Sequence, residues 1–430
     1  VFFFFGLLLS MFVGSLAWAG STVALLKKAH WDSKLRTIVW LFTLVQILGL
    51  AWITLSRSGA PESSMAIPRP YLAAIFFWHL LALPLFLTSK IASELVKIGA
   101  TISCFFKRNQ TRQKHQTTER ARSEENQQDG FSRRDFFAIA AQSSPALITV
   151  ASTPVSQWQL EQFRVRRLTM VAPKLPADLD GLTIAHVSDT HVGRFTKGSI
   201  LERIVETANS LDADLVVFTG DLINFSLGDL PVGIDLLKGI RARHGVFACE
   251  GNHDLMQDGF AFRDLMGRAS VGLLVDEAAS VIIKGCRVQL TGLPWGEPRG
   301  AKGSFGNNRD ALYRSLLEQV RVKNDVDAFR ILLAHHPHAF DHAGDFHLTL
   351  SGHTHGGQLM LTQRIGAGPT LYRYWSGLYE KDGRSLCVSN GVGNWFPIRV
   401  GAPAEIVHLT LRAGGSKGES KGEASQRPSA

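Results

Sequence analysis

Three runs without a single charged side chain crowd the first 90 residues. They are residues 1–26, TIVWLFTLVQILGLAWITL at 37–55 and YLAAIFFWHLLALPLFLTS at 71–89. Few features constrain a chain more. In hydrocarbon every backbone N–H and C=O must find its partner within the protein, so an uncharged run of about 20 residues spans as a helix. Buried core helices are the alternative, but three such runs in so short a stretch favour spans. Residues 1–106 therefore read as a transmembrane region. Val1 is an odd first residue, which suggests a fragment or a non-Met start codon read literally.

Basic residues set an expected orientation. Lys27, Lys28, Lys34 and Arg36 fill the first loop, which the positive-inside rule assigns to the cytoplasm. The second loop carries Arg57 and Arg69 against Glu62 and suits the outside. The stretch from Lys90 to Arg134 is basic again, and within it 107–130 lacks apolar periodicity and reads as a flexible cytoplasmic linker. FSRRDFFAIAAQSSPALITVASTPVS, residues 131–156, resembles a twin-arginine export signal, which would imply the twin-arginine machinery as a partner. The alternative is an ordinary fourth span. Both readings cross from inside to outside and put the remainder of the chain on the extracytoplasmic face.

The net charge of +9 is thus explained by a membrane rather than by nucleic acid, for which the sequence carries no binding motif. Cys104, Cys249, Cys286 and Cys387 are far apart and form no CxxC, which argues against a zinc ribbon or a disulfide framework.

From about 157 to 412 the pattern becomes α/β. Short β-rich runs such as LTIAHVSD, DLVVFTGD, GVFACEGNHD, FRILLAHHP and HLTLSGHTH alternate with helix-like segments at 198–210 and 308–322. Residues 413–430 are rich in Gly, Ser, Lys and Glu and read as a disordered tail. The strand-like runs end in chemistry-bearing residues: Asp189 and His191, Gly220-Asp221, Gly251-Asn252-His253-Asp254, His335, then Gly352-His353-Thr354-His355. Loops at the carboxyl ends of strands are where α/β folds place ligand sites. On an extended chain His353 and His355 would point the same way. Carboxylate, imidazole and amide oxygen without cysteine suit Mn, Fe, Co or Zn better than a thiolate-bound structural zinc.

The ordered set DxH, GD, GNHD, isolated His and GHxH resembles the calcineurin-like metallophosphoesterase superfamily. The segment 377–406, GLYEKDGRSLCVSNGVGNWFPIRVGAPAEI, is similar to the C-terminal signature of a bacterial branch of membrane-tethered or twin-arginine-exported phosphoesterases. The resemblance implies a four-layer αββα sandwich and two divalent metal ions. Asp189, His191 and His355 would hold one ion, Asn252, His335 and His353 the other, and Asp221 would bridge them. Two divalent ions roughly 3.5–4 Å apart repel by roughly 18 kcal/mol at an effective dielectric of 20, so shared anions between them are required.

The implied activity is hydrolysis of a phosphodiester or pyrophosphate by a metal-bridging hydroxide. His253 would protonate the leaving oxygen, with Asp254 orienting its ring. Arg194, three residues past His191, is a candidate substrate contact. Alternation along a strand assigns His335 and not its neighbour His336. Aromatic residues at 371–379 with Trp395 and Phe396 suggest either packing or a greasy lip admitting a lipid-linked phosphoester. Two rival readings are a phosphomonoesterase and a membrane-tethered binding domain without catalysis. A transporter or sensor is disfavoured, because the spans carry almost no ionisable residue besides His79.

Overall fold

A computed structural model describes residues 2–56, 67–111, 133–296, 309–321 and 323–414. The expected linker and tail fall almost wholly outside these residues. The chain divides into two compact units, Val1–Val155 and Ser156–Ala430.

The first unit is helical: α1 (Phe2–Lys28), α2 (Ser33–Ser56), α3 (Arg69–Phe76), a π-helical turn (Phe77–Ala82), α4 (Leu83–Thr111) and most of α5 (Arg133–Leu160). Among the described residues, four stretches are long and apolar enough to cross a membrane: Phe5–Lys28, Ser33–Thr54, Arg69–Ser103 and Asp135–Leu160. The third runs past residue 89 because a charge ends an apolar run, not a helix. Lys97 and Glu94 pair on its exposed face at 2.6 Å, a favourable i,i+3 contact. Trp18 and Trp78 meet edge to face at 4.8 Å. Each indole N–H is satisfied where no water reaches it, Trp18 on Gln142 O at 2.8 Å and Trp78 on Ser15 Oγ at 3.0 Å.

The second unit is built on two sheets. One has the order β1-β11-β2-β3-β4, formed by Phe163–Ala172, Ala404–Ala413, Thr183–Val187, Leu215–Thr219 and Val246–Cys249. The other has the order β5-β6-β7-β8-β10-β9, formed by Glu277–Ile283, Cys286–Gly292, Phe329–Leu333, Leu348–Ser351, Arg384–Val388 and Gly377–Lys381. Strands β2, β3 and β4 are mutually parallel, as are β6, β7, β8 and β10. Their apolar runs show little alternation because both faces are covered.

The inner faces share one core, in which Ile184, Leu215 and Val217 meet Leu290, Ile331 and Leu350. On the outer face of the first sheet, Ala185, Val216 and Phe218 pack with residues of α6 (Ser199–Ser210), α7 (Leu230–Gly239) and α8 (Gly259–Arg268). On the other outer face, Leu332 packs against Tyr313, Leu317 and Val320 of α9 (Arg309–Arg321). A short α10 (Ala367–Leu371) follows β8. The order of layers is helix, sheet, sheet, helix, the expected αββα sandwich.

Candidate metal centre

Parallel strands deliver their carboxyl ends to one edge, and the polar residues that end them follow. Asp189 and His191 come after β2, Asp221 after β3, Asn252 and His253 after β4, His335 after β7, and His353 and His355 after β8. Five of these residues adopt left-handed backbone: Asp189 (φ 53°), His191 (48°), Asp221 (56°), His353 (69°) and His355 (49°). Such φ values are uncommon outside glycine, and their concentration here marks a loop conformation imposed by the site. The motif glycines are required by crowding. A Cβ on Gly251 would lie 2.2 Å from Asp221 Oδ1, and one on Gly352 would lie 1.9 Å from Ser188 Oγ.

All seven expected ligands converge. The ligand atoms of Asp189, His191 and His355 lie within 4.8 Å of one another, as do those of Asp221, His335 and His353. Asn252 joins the second set, its Oδ1 3.0 Å from His353 Nδ1. Asp221 Oδ2 lies between the sets, 3.6 Å from His191 Nε2 and 3.1 Å from His335 Nε2.

Two pairs of ring nitrogens face each other: His191 Nε2 and His355 Nε2 at 3.0 Å, His353 Nδ1 and His335 Nε2 at 3.2 Å. Two lone pairs cannot meet at that distance without a proton or a cation between them. The donor set therefore fits divalent ions. The tautomer of His335 is set from outside, since its Nδ1 lies 2.6 Å from Thr219 O, which directs the Nε2 lone pair inward.

Charge is balanced within the cluster. Burial acts to raise the Asp189 carboxyl, but His355, His335 and His191 outweigh it and hold the group well below the usual range. Asp221 is likewise depressed, burial being overcome chiefly by His335. His335 is raised to about 9, because the Asp221 carboxylate outweighs the effect of burial. Burial, reinforced by His335, pulls His353 down to about 3.

The expected role of Asp254 needs a correction. The Asp254 carboxylate accepts the backbone N–H groups of Asp221 (2.9 Å), Gly251 (2.9 Å) and Ile223 (3.1 Å). It ties together the loops after β3 and β4 and does not orient the His253 ring. Asn224 O does so, 2.5 Å from His253 Nδ1. Burial and the Asp221 charge push Asp254 up to about 8, against the pull of its N–H donors.

Arg194 is exposed, with its guanidinium 5.6 Å from the Phe195 ring. His336 is buried beside the His353 ring at 4.7 Å but joins neither converging ligand set among the described residues. His186, buried, faces Thr219 Oγ1 at 2.8 Å and plays a structural part.

Arg399, unassigned by motif, is fully buried against the site. Its guanidinium reaches Asn394 Oδ1 (2.9 Å), Ala402 O (2.8 Å), Gly393 O (2.9 Å), Asn390 O (3.3 Å) and His355 Nδ1 (3.0 Å). The Nη2–Nδ1 contact holds the His355 ring so that Nε2 faces the cluster, 3.3 Å from Asp189 Oδ1. The one sequence signal was a lone charge inside the apolar stretch FPIRVGAPA. Trp295 and Trp395 form walls, Trp295 5.2 Å from the His353 ring and Trp395 5.8 Å from the His253 ring.

Residues 182–357 match the calcineurin-like phosphoesterase family. An uncharacterized metallophosphoesterase of Campylobacter jejuni, Cj0846, is 30% identical over 262 residues, covering 59% of this chain and 64% of that protein. The UDP-2,3-diacylglucosamine pyrophosphatase LpxG of Chlamydia trachomatis is 26% identical over 320 residues, covering 61% of this chain and 94% of that protein. A transmembrane protein with metallophosphoesterase domain from Danio rerio is 30% identical over 250 residues, covering 56% of this chain and 55% of that protein. The chain thus spans less than two thirds of the length of the Campylobacter and Danio relatives. Motif order, sandwich architecture and sequence match agree: residues 182–357 form a calcineurin-like phosphoesterase domain.

Proposed function

We propose that the chain is a membrane-anchored phosphoesterase that holds two divalent ions and hydrolyses a phosphodiester or pyrophosphate. The observation that carries this reading is the place of Asp221 Oδ2 between the two ligand sets. Asp189, His191 and His355 would hold one ion and Asn252, His335 and His353 the other, with Asp221 shared. When bound, such ions supply Lewis acidity toward phosphate oxygens and lower the pKa of water. The chain's own residues do the rest. Asp189 and Asp221, held ionised, provide the anionic charge that two cations require. With Nδ1–H donated to Asn224 O, the cationic His253 ring would pass its Nε2 proton to the leaving oxygen and be left neutral. Arg194 is the proposed contact for a further phosphate oxygen.

LpxG is named for a pyrophosphatase acting on a lipid-linked nucleotide, which supports a lipid-linked phosphoester as the substrate class here. The loop charges favour the bacterial cytoplasmic membrane with the catalytic domain on the extracytoplasmic side, residues 131–156 acting as export signal or fourth span. A periplasmic-type phosphatase reporter fused at 157 should then be active and one fused at 107 inactive; the reverse pattern would invert the topology.

The catalytic reading is tested on the full chain in detergent with added Mn²⁺, comparing bis-p-nitrophenyl phosphate with p-nitrophenyl phosphate. Diester cleavage is expected, abolished in Asp221→Ala and reduced about 10²–10⁴-fold in His253→Ala with metal content intact. Activity confined to the monoester would make the protein a phosphatase. A metal-loaded wild type inert on both would sink the catalytic reading.

A further inference from the structure

The segment that carries Arg399 connects the metal centre to the end of a membrane-length helix. The last turn of α5, residues 156–160, belongs to the second unit and closes the candidate span Asp135–Leu160. Asn394 Nδ2 donates to Leu160 O at 3.0 Å, Arg399 N to Ser156 Oγ at 3.0 Å, and Gly401 N to Gln159 Oε1 at 3.1 Å. Arg399 also holds His355, so one residue separates the end of the span from a metal ligand.

From the same strap the chain reaches an exposed apolar loop. Val400 pairs with Gln358 and Met360 through backbone bonds of 2.9 and 2.8 Å, and Met360 leads directly into 361–371. Leu361 is 85% exposed, Ile365 59% and Leu371 67%. The loop is not slack. Leu361 N donates to Ile365 O at 2.8 Å, and the Thr362 hydroxyl accepts the N–H groups of Arg364 and Ile365 at 3.2 and 3.1 Å. A closed turn that holds three large aliphatic side chains outward offers a surface for an apolar partner. Residues 359–375 contain Arg364 and Arg373 and no acid; Arg373 pairs with Asp341 at 3.3 Å, which leaves Arg364 on the loop itself as the charge that suits an anionic lipid surface. The loop borders the mouth of the site, since the ring of Tyr372 lies 6.1 Å from that of His353.

We infer that loop 361–371, at the mouth of the metal centre, seats in a lipid interface. The substrate is then a phosphoester presented by that lipid surface and taken sideways, its apolar part staying in the bilayer. This deepens the catalytic reading above and depends on it for the substrate, but the docking itself does not.

The test uses the full chain in nanodiscs containing phosphatidylglycerol. Cys104→Ser and Cys286→Ser leave only the buried Cys249 and Cys387. An environment-sensitive fluorophore is then placed at Ile365→Cys, with Val326→Cys, 82% exposed ahead of β7, as the control. Doxyl-labelled lipid should quench the probe at 365 and leave 326 unaffected; equal quenching, or none at 365, overturns the docking. The second arm compares Leu361→Ser/Ile365→Ser/Leu371→Ser with wild type on the p-nitrophenyl ester of phosphatidic acid and on soluble bis-p-nitrophenyl phosphate. The lipid diester should be cleaved about tenfold more slowly by the variant, with the soluble diester unchanged. Equal losses on both substrates, or no loss on the lipid, overturn the role in substrate presentation. If wild type cleaves neither, the catalytic reading fails and the quenching arm still decides the docking.

Discussion

Replacing Arg399 by Met keeps most of the volume and removes every donor. Three backbone carbonyls, Asn394 Oδ1 and His355 Nδ1 then lose their partner inside a fully buried pocket. An unsatisfied buried acceptor costs about 1–3 kcal/mol, but neighbours relax together and the costs do not add. A net loss of about 3–5 kcal/mol is expected, as for breaking a buried charged contact. In a domain of this size each kcal/mol lowers the midpoint by about 2–4 °C, so metal-stripped protein should melt about 10 °C earlier. The specific effect lies in His355, whose ring loses the group that fixes its orientation. A metal ligand released in this way typically loses about 10–100-fold in affinity, or about 1.4–2.8 kcal/mol. Calorimetric titration of stripped full-length protein with Mn²⁺ should show one of two binding steps weakened by that factor and the other preserved. Arg399→Lys keeps the charge but lacks the planar fork, and should fall between. If both steps are unchanged while the melting point drops, Arg399 is a scaffold residue and does not act through His355.

Two other expectations follow from the centre. Asp254→Asn should lower thermal stability by about 1–3 kcal/mol and loosen metal binding, because the amide keeps only one acceptor oxygen for three N–H donors. A variant that kept full stability and lost only turnover would restore Asp254 as an orienter of His253. In the metal-free protein the His335 and His353 contributions should together favour the fold most near pH 6.5, opposed by Asp254, whose raised carboxyl keeps a proton that the unfolded chain has lost. His335, raised to about 9, contributes fully below the unfolded value and loses that contribution as the pH rises through about 9. His353, lowered to about 3, stays neutral while the unfolded chain takes up a proton, so stability also falls as the pH drops from about 6.5 toward 3. Denaturant melts of stripped protein across this range would refute the assignment if stability rose steadily toward pH 9.

Much of the centre was legible because its residues end apolar strands, and a strand end is a place the chain must go. Asp189, Asp221, His335 and the two histidines of GHTH announce themselves by type, order and position. What the sequence hid depends on backbone or on distant partners. Asn224 orients His253 through a carbonyl, and every residue has one. Asp254 looked like a partner for its neighbour His253, but the turn sends its carboxylate back to three N–H groups. Arg399 meets His355 across 44 positions of sequence. Strand β1 was missed because FRVRRLTMVA is only partly buried, so no clean apolar run marks it. The length of the third helix was underestimated for the reason already given: helices tolerate Lys90 and Glu94 where an apolar pattern stops.

Both ligand sets draw on both sheets: Asp189 and His191 from the first with His355 from the second, and Asn252 from the first with His335 and His353 from the second. An ion in either set would be a rivet between the two halves of the sandwich, placed at one edge. Sliding or splaying of the sheets there would have to break coordination first. Metal loading should therefore slow unfolding more than it speeds folding, and a chelator should shorten the lifetime of the native state even where the equilibrium still favours it. The ions proposed to make the protein active would then also keep it folded.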